Sequence, residues 1–275
     1  MKTAIVIRGH ARTWNLTKEH NLRFMEDIYG PVDWYFATPI SDTTNEQRLL
    51  QDFAGRNLCN ISLLDESTYP LSVSGKPASR WRSWMPAYWK IAWMDYHIGL
   101  SKRRREIELN MRYDNVVFMR TDCWYFAPQS GETRAVKPLH AMAAAHIGPG
   151  PTMSADDWIN DDLIWRAGRS AADLLFFRWL DTHYDRDNTA QLIHGNSHAL
   201  LGLYCARNLI AHDVHGDSFK YTIIRPDHFD QMPWSWEKHD PNFTDSQTWH
   251  IRTTDEKIKW CQKLGIDPRD YQLVD

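Results

Sequence analysis

The sequence predicts an α/β protein: a mostly parallel sheet flanked by helices and built as a single domain. Three observations carry this. Short, continuous apolar runs alternate with amphipathic stretches, the pattern of buried parallel strands connected by helices. Two of those runs end in compact charged signatures, as strands leading into ligand-binding loops do. The chain has 275 residues, a length that suits one large α/β domain and buries a substantial core.

Ala4-Ile5-Val6-Ile7 is the first apolar run, and it ends in Arg8-Gly9-His10. An amphipathic stretch from about Thr17 to Ile28 follows, with Leu22, Met25 and Ile28 at helical spacing. Gly30-Pro31 punctuates it, and Asp33 to Thr38 reads as a second strand. Glu46 to Phe53 is helical, and Asn60 to Leu64 is a third strand. Leu71 to Arg82 has loop composition. A long helix is predicted from Trp84 to about Asn110, with Gly99 as a place where it could break. Asn115 to Met119 is a buried strand that ends in Arg120-Thr121-Asp122. Beyond the Gly148–Pro151 loop, helices are expected over Ser170–Tyr184, Ser197–Asn208 and Thr254–Leu264, with a short strand at Tyr221–Ile224. The domain is expected to span 1–275, with an irregular, aromatic C-terminal segment from about residue 227.

Composition excludes several classes. Apolar residues make up 43% and charged residues 24%, which argues against a disordered chain, a collagen or a coiled coil. No stretch approaches the ~20 apolar residues of a membrane span, and the N-terminal apolar run is too short for a signal peptide. Cys59, Cys123, Cys205 and Cys261 are far apart, so neither a disulfide framework nor a structural zinc site is expected. The expectation is a cytoplasmic protein with no membrane association and no obligate protein partner.

Two features stand out. There are 14 tryptophans and 13 histidines, and Trp faces suit sugars and nucleobases as well as packing. Charge is also uneven. Between Lys76 and Arg105 eight basic residues face Asp95 alone, an excess of seven on a chain whose formal net charge is −3. Such a basic segment can mark a polyanion site, and it can equally be a solvated helix end.

Four clusters could carry chemistry. Arg8-Gly9-His10-Ala11-Arg12-Thr13 combines a glycine, which permits close backbone approach, with two arginines and a histidine suited to phosphate. It is neither GxGxxG nor a Walker A loop. Asp122, at the tip of the fourth strand, could hold a divalent metal or act simply as a turn residue. Asp156, Asp157, Asp161 and Asp162 crowd four carboxylates together, as a general base or a metal site requires and as an acidic helix N-terminus also does. His194, His198, His212 and His215 lie near Asp213 and Asp217 but match no standard zinc spacing, and His215 is a candidate ligand.

The order of these pieces resembles glycosyltransferase-like proteins of the GT-A fold, found in bacterial surface-polysaccharide clusters and in viruses. The resemblance rests on Arg8-Gly9-His10-x-Arg12-Thr13, Val32 to Phe36, Tyr113 to Asp122, Ile159 to Gly168, His194 to Leu201 and Ile223 to Pro226. It implies a GT-A-like, Rossmann-like sheet and a nucleoside-diphosphate sugar donor, a UDP-sugar for instance. Arg8, Gly9, His10, Arg12, Thr13, Arg120, Asp122 and Arg225 would contact that donor. Arg120-Thr121-Asp122 would fall on the family's Asp-x-Asp metal motif, with Arg120 in place of the first Asp. Manganese or magnesium dependence is thereby put in question, since an arginine can itself neutralise a diphosphate. Asp161 or Asp162 would be the catalytic carboxylate, and Asn196-Ser197 stands where Pro-Glu is usual.

For the acceptor, the basic window points to double-stranded DNA carrying hydroxymethylcytosine, as in bacteriophage genomes whose bases are glycosylated. Arg80, Arg82, Arg103, Arg104 and Arg105 would hold phosphates, and Trp84 with its neighbours Trp81, Trp89 and Trp93 would pack a flipped base. The alternatives are a polysaccharide or lipopolysaccharide glycosyltransferase and a non-catalytic nucleotide-sugar-binding protein.

Overall fold

The computed structural model describes residues 1–41, 44–68, 85–126, 140–143, 164–184, 204–205, 208–213 and 220–223. Strand β1 (Thr3–Arg8) is buried along its whole length. Its Ile5-Val6-Ile7 run favours extended backbone and leaves no polar face, which fits a strand covered on both sides. A 3₁₀ turn (Ala11–Thr13) leads into α1 (Trp14–Tyr29). Gly30, at φ 72°, ends that helix with its N–H on the Glu26 carbonyl at 2.8 Å. Strand β2 (Asp33–Pro39) follows. The Asn45 side chain then caps α2 (Glu46–Asp52) by accepting the Arg48 N–H at 3.0 Å. Strand β3 (Asn57–Leu64), α3 (Met85–Glu108) and β4 (Asn115–Arg120) complete the first half. The second half contains β5 (Cys123–Phe126), β6 (His140–Ala143), β7 (Ile164–Gly168), α4 (Arg169–Tyr184), β8 (Ala211–Asp213) and β9 (Lys220–Ile223).

Seven of these strands form one sheet in the order β3-β2-β1-β4-β7-β6-β8, and β5 pairs with β9 in a separate two-stranded sheet. The β3-β2-β1-β4 half is parallel throughout. Beyond it the sheet becomes mixed, because β7 runs antiparallel to both β4 and β6. The expectation of an α/β sheet flanked by helices holds, and the antiparallel β7 is a feature that the apolar runs did not reveal.

Side-chain alternation builds a core on each face. On one, Ala4, Val6, Tyr35, Val116 and Phe118 meet α3 and α4 through Met94, Ile98, Leu175 and Phe176. On the other, Ile5, Ile7, Trp34, Phe36 and Met119 meet α1 and α2 through Trp14, Leu22, Met25 and Leu49. Trp14, Trp34, Trp93 and Trp165 are all buried, so these four serve packing rather than ligand stacking. In particular, Trp93 is core rather than a wedge for a flipped base.

Gly99 does not interrupt α3, which is continuous from Met85 to Glu108. Its function is close approach between helices. A Cβ there would stand 2.7 Å from the Phe176 Cβ on α4. The helix crosses the sheet from one edge to the other. Asp95, in its middle, reaches Arg8 at the carboxyl end of β1, whereas Arg105 reaches Asp33 at the amino end of β2. Among the described residues, no helix is long and apolar enough to cross a membrane.

Candidate functional site

The chain order places β1 between β2 on one side and β4 on the other. The connection leaving β1 goes one way, and the later crossover through α3 returns on the opposite side. In open α/β sheets, ligands bind beyond the carboxyl ends of the strands at such a switch point. The two charged signatures in the sequence meet there: Arg8 and Arg120 are register partners at the last rung of β1 and β4.

The loops above that rung are tied together. Thr121 N–H donates to the Arg8 carbonyl at 3.2 Å. The Thr121 hydroxyl donates to the His10 carbonyl at 2.6 Å, and the Thr17 hydroxyl donates to the Thr121 carbonyl at 2.9 Å. Gly9 N–H bonds the Ala37 carbonyl at 3.2 Å, and Ala11 N–H bonds the Thr38 hydroxyl at 3.1 Å. Gly9 has φ +125°, a conformation that L side chains rarely adopt, and a Cβ there would lie 2.9 Å from Thr121 Oγ1. The glycine thus allows the β1 and β4 loops to touch. His10 stands exposed at the rim, Thr13 is buried beneath it, and Arg12 lies in the 3₁₀ turn.

Arg8 is only 2% exposed. Its Nε donates to Asp95 Oδ2 at 3.2 Å, its Nη1 donates to the Met119 carbonyl at 3.1 Å, and its guanidinium lies 5.6 Å from the Phe118 ring centroid. Arg178 of α4 donates to the same Asp95 oxygen at 2.6 Å. Two guanidinium groups therefore share one buried carboxylate under the crevice. Arg8 is part of the floor rather than a finger reaching outward, a role that its position at a strand end did not disclose.

Arg120 and Asp122 form a bidentate pair. Arg120 Nε donates to Oδ1 at 2.8 Å, and Nη2 donates to Oδ2 at 2.7 Å. The turn is fixed from below by Tyr125, whose phenol oxygen accepts the Arg120 backbone N–H at 2.9 Å. Burial pushes the Tyr125 phenol well above its ordinary pKa, so it stays neutral.

Beside the crevice, an open groove of about 200 Å³ runs between the 3₁₀ turn and α2. Ala11, Trp14, Asn15, Asn45, Arg48 and Asp52 line it. Trp14 Nε1 donates to Asp52 at 3.1 Å, and Lys18 pairs with the same carboxylate. The Arg8–Thr13 signature reaches this groove only through Ala11. Its residues come from the 3₁₀ turn, α1 and α2, and apart from Ala11 they belong to no motif; only the position of α2 after a strand end could have pointed to it.

Arg103, Arg104 and Arg105 do not belong to this region. They lie toward the C-terminal end of α3, at the amino edge of the sheet, about one strand length (roughly 20 Å) from the crevice. Arg105 pairs with Asp33 at 3.1 Å, and Arg103 approaches Asp173 at 3.8 Å. Lys102 is buried between Glu106 at 3.0 Å and Asp173 at 2.8 Å. Lys102 and Arg105 are matched by Glu106 on the same helix and by Asp173 and Asp33 from other elements, which a charge count within the window cannot register. Lys102 and Arg105 thus belong to a structural network, whereas Arg103 and Arg104 are exposed at the far end of α3.

The remaining expectations, Arg80, Arg82, Trp84, Asp161, Asp162, His215 and Arg225, lie outside the described residues. So do Asp156, Asp157, His194 and His198. Among the described residues, no three His, Cys, Asp or Glu side chains converge as metal ligands.

No protein-family model matches the chain, and no curated protein matches it. Among solved structures, it is similar to a glycosyltransferase involved in glycosylation of the major capsid of PBCV-1. That match has 10% identity and a TM-score of 0.39, and covers 78% of this chain and 81% of that one. It is also similar to the glycosyltransferase GlyE of Streptococcus pneumoniae TIGR4, at 9% identity and a TM-score of 0.40, over 78% of this chain and 46% of GlyE. The apo form of GlyE gives 9% identity and a TM-score of 0.42, over 77% and 44%. The chain thus spans less than half the length of GlyE. Likenesses at this level leave the reading of the site to the chain's own residues.

Proposed function

We propose that the protein is a glycosyltransferase that moves a sugar from a nucleoside-diphosphate donor to an acceptor hydroxyl. The observation that carries this reading is the meeting of the loops that leave the carboxyl ends of β1 and β4. There a glycine-permitted turn and the Arg120–Asp122 pair stand together at a topological switch point. The order of motifs along the chain supports the same reading. The nucleoside would occupy the adjoining groove near Asn15, Asn45 and Arg48, and the diphosphate would lie toward Arg120 and the backbone of Gly9 and His10.

In the reaction, a carboxylate takes the proton of the acceptor hydroxyl, and we assign that role to Asp161 or Asp162. The acceptor oxygen forms a bond to the anomeric carbon. The bond from that carbon to the donor phosphate oxygen breaks, and the nucleoside diphosphate leaves with the electron pair. Arg120 stabilises the charge developing on the leaving group. The buried Arg8–Asp95–Arg178 group adds fixed positive potential beneath it.

For the acceptor, the proposal is hydroxymethylated DNA, resting on Arg80, Arg82 and Trp84 and on the exposed Arg103 and Arg104, while Arg105 is paired with Asp33. The test is a panel of nucleotide sugars offered to the full chain with three acceptors: hydroxymethylcytosine duplex DNA, oligosaccharide, and water. Sugar transfer or donor hydrolysis is expected with at least one donor. Binding of nucleotide sugars without turnover on any acceptor would instead mark a non-catalytic binding protein.

A further inference from the structure

By the resemblance, Arg120-Thr121-Asp122 would fall on an Asp-x-Asp motif, whose two carboxylates would hold a divalent cation. The residues here do not fit that ion. The first position carries a guanidinium, and its Nε and Nη2 occupy both oxygens of Asp122 at 2.8 and 2.7 Å. A metal would have to displace a parallel, charge-assisted fork whose two members are largely buried, at 18% and 7% side-chain exposure. The fork is also held from its backbone, by the bonds from Arg120 N–H to Tyr125 and from Thr121 to His10. Bringing a divalent cation beside a fixed guanidinium adds like-charge repulsion as well.

We infer that this site takes the donor diphosphate without a divalent cation, with Arg120, oriented by Asp122, as the positive charge in the metal's place. Asp122 is then a positioning residue, and its carboxylate fixes the plane of the Arg120 guanidinium. This rests on the reading of the site as a nucleoside-diphosphate site.

The test has two measurements on the full-length chain. Calorimetric titration with UDP, GDP and CDP is run in EDTA and again in manganese chloride. Manganese binding to the protein alone is followed by electron paramagnetic resonance. Wild type is expected to bind one of the nucleotides with the same affinity in both buffers and to retain no manganese. Arg120→Asp, which releases Asp122 and adds a second carboxylate, is expected to retain manganese and to bind nucleotide at least about tenfold more tightly with the metal than without it. Arg120→Lys keeps the charge and loses the fork, and should bind more weakly than wild type yet remain insensitive to EDTA. Nucleotide binding by wild type that requires manganese overturns the inference and leaves the glycosyltransferase reading standing. Manganese retained by wild type and lost in Asp122→Asn overturns the inference whatever the nucleotides do. Absence of binding by all three nucleotides in both buffers overturns the reading of the site, and the inference with it.

Discussion

Gly9 and Thr121 sit so close that a single added carbon on the first would press to 2.9 Å from the hydroxyl of the second. That hydroxyl also bonds the His10 carbonyl. Gly9→Ala is therefore expected to destabilise the fold by about 1–3 kcal/mol through backbone strain and to disturb the crevice loops. Denaturant unfolding should show the loss, and nucleotide affinity should fall with it. A variant as stable as wild type would mean that the β1–β4 loops are looser than this contact implies.

Asp95 balances two buried arginines. Asp95→Ala leaves both Arg8 and Arg178 without that carboxylate, and a cost of about 3–5 kcal/mol is expected. Adding Arg178→Met should recover part of it, because one buried cation is then removed. Chemical denaturation of the single and double variants measures this. Equal stability of Asp95→Ala and wild type would rule out the triad as a structural element.

At the α3–α4 contact, Gly99→Ala drives a methyl group into Phe176, and overpacking of this kind costs about 1–3 kcal/mol. Phe176→Leu in the same chain removes the ring and should relieve part of the clash, so that Gly99→Ala is tolerated better there than in the wild-type background. A double-mutant cycle reads the coupling. Additive effects would place the strain elsewhere.

His20 is desolvated between helix and strand, and burial lowers its pKa below the ordinary 6.5 despite the bond to the Tyr125 carbonyl. The native state therefore holds the ring neutral while the unfolded chain protonates it. The stability contributed is complete above about 6.5 and declines as pH falls from there toward the lowered native value. His20→Gln should flatten the dependence of unfolding free energy on pH in that window. Identical slopes for wild type and variant would assign the acid sensitivity to other groups, His97 first, since its pKa is also lowered by burial.

The opposite placement of Arg48 and Arg104 gives a spatial test. Arg48 lines the groove beside the crevice, and Arg104 projects from the far end of α3. Arg48→Ala should weaken nucleotide binding by about tenfold if the guanidinium bonds the ligand. Arg104→Ala should leave that affinity unchanged. Calorimetry that reports the reverse pattern would move the ligand to the amino edge.

How much of this could be read from the sequence varied with the range of the forces involved. The strands β1, β2 and β4 and the helix α4 were legible because each is set locally, by continuous apolar runs or by helical spacing such as Leu174, Leu175 and Phe177. The strand β7 was not, because Ile164-Trp165-Arg166-Ala167-Gly168 carries a buried arginine in its middle and only tertiary burial makes it extended. Gly99 misled for a similar reason: glycine weakens a helix locally, and the neighbour that requires it lies far along the chain. At the site, the charged strand ends were visible, but their pairing was not. Nothing in Arg8-Gly9-His10 announces Asp95, and a count of eight basic residues cannot show that Glu106 and Asp173 enclose Lys102 or that Asp33 meets Arg105.

The placement of β1 bears on how the chain folds as it is made. Thr3 pairs with Asn115 and Arg8 with Arg120, so the innermost strand of the parallel half waits for a partner more than a hundred residues downstream. Until Arg120 has left the ribosome, β1 can pair only with β2, and its other edge presents an unpaired apolar ladder. Such late, non-local pairing slows folding and exposes the nascent chain to aggregation. Truncation before β4 should accordingly yield insoluble protein rather than a smaller domain, and expression ought to benefit from slow synthesis or from chaperones that shield a strand edge.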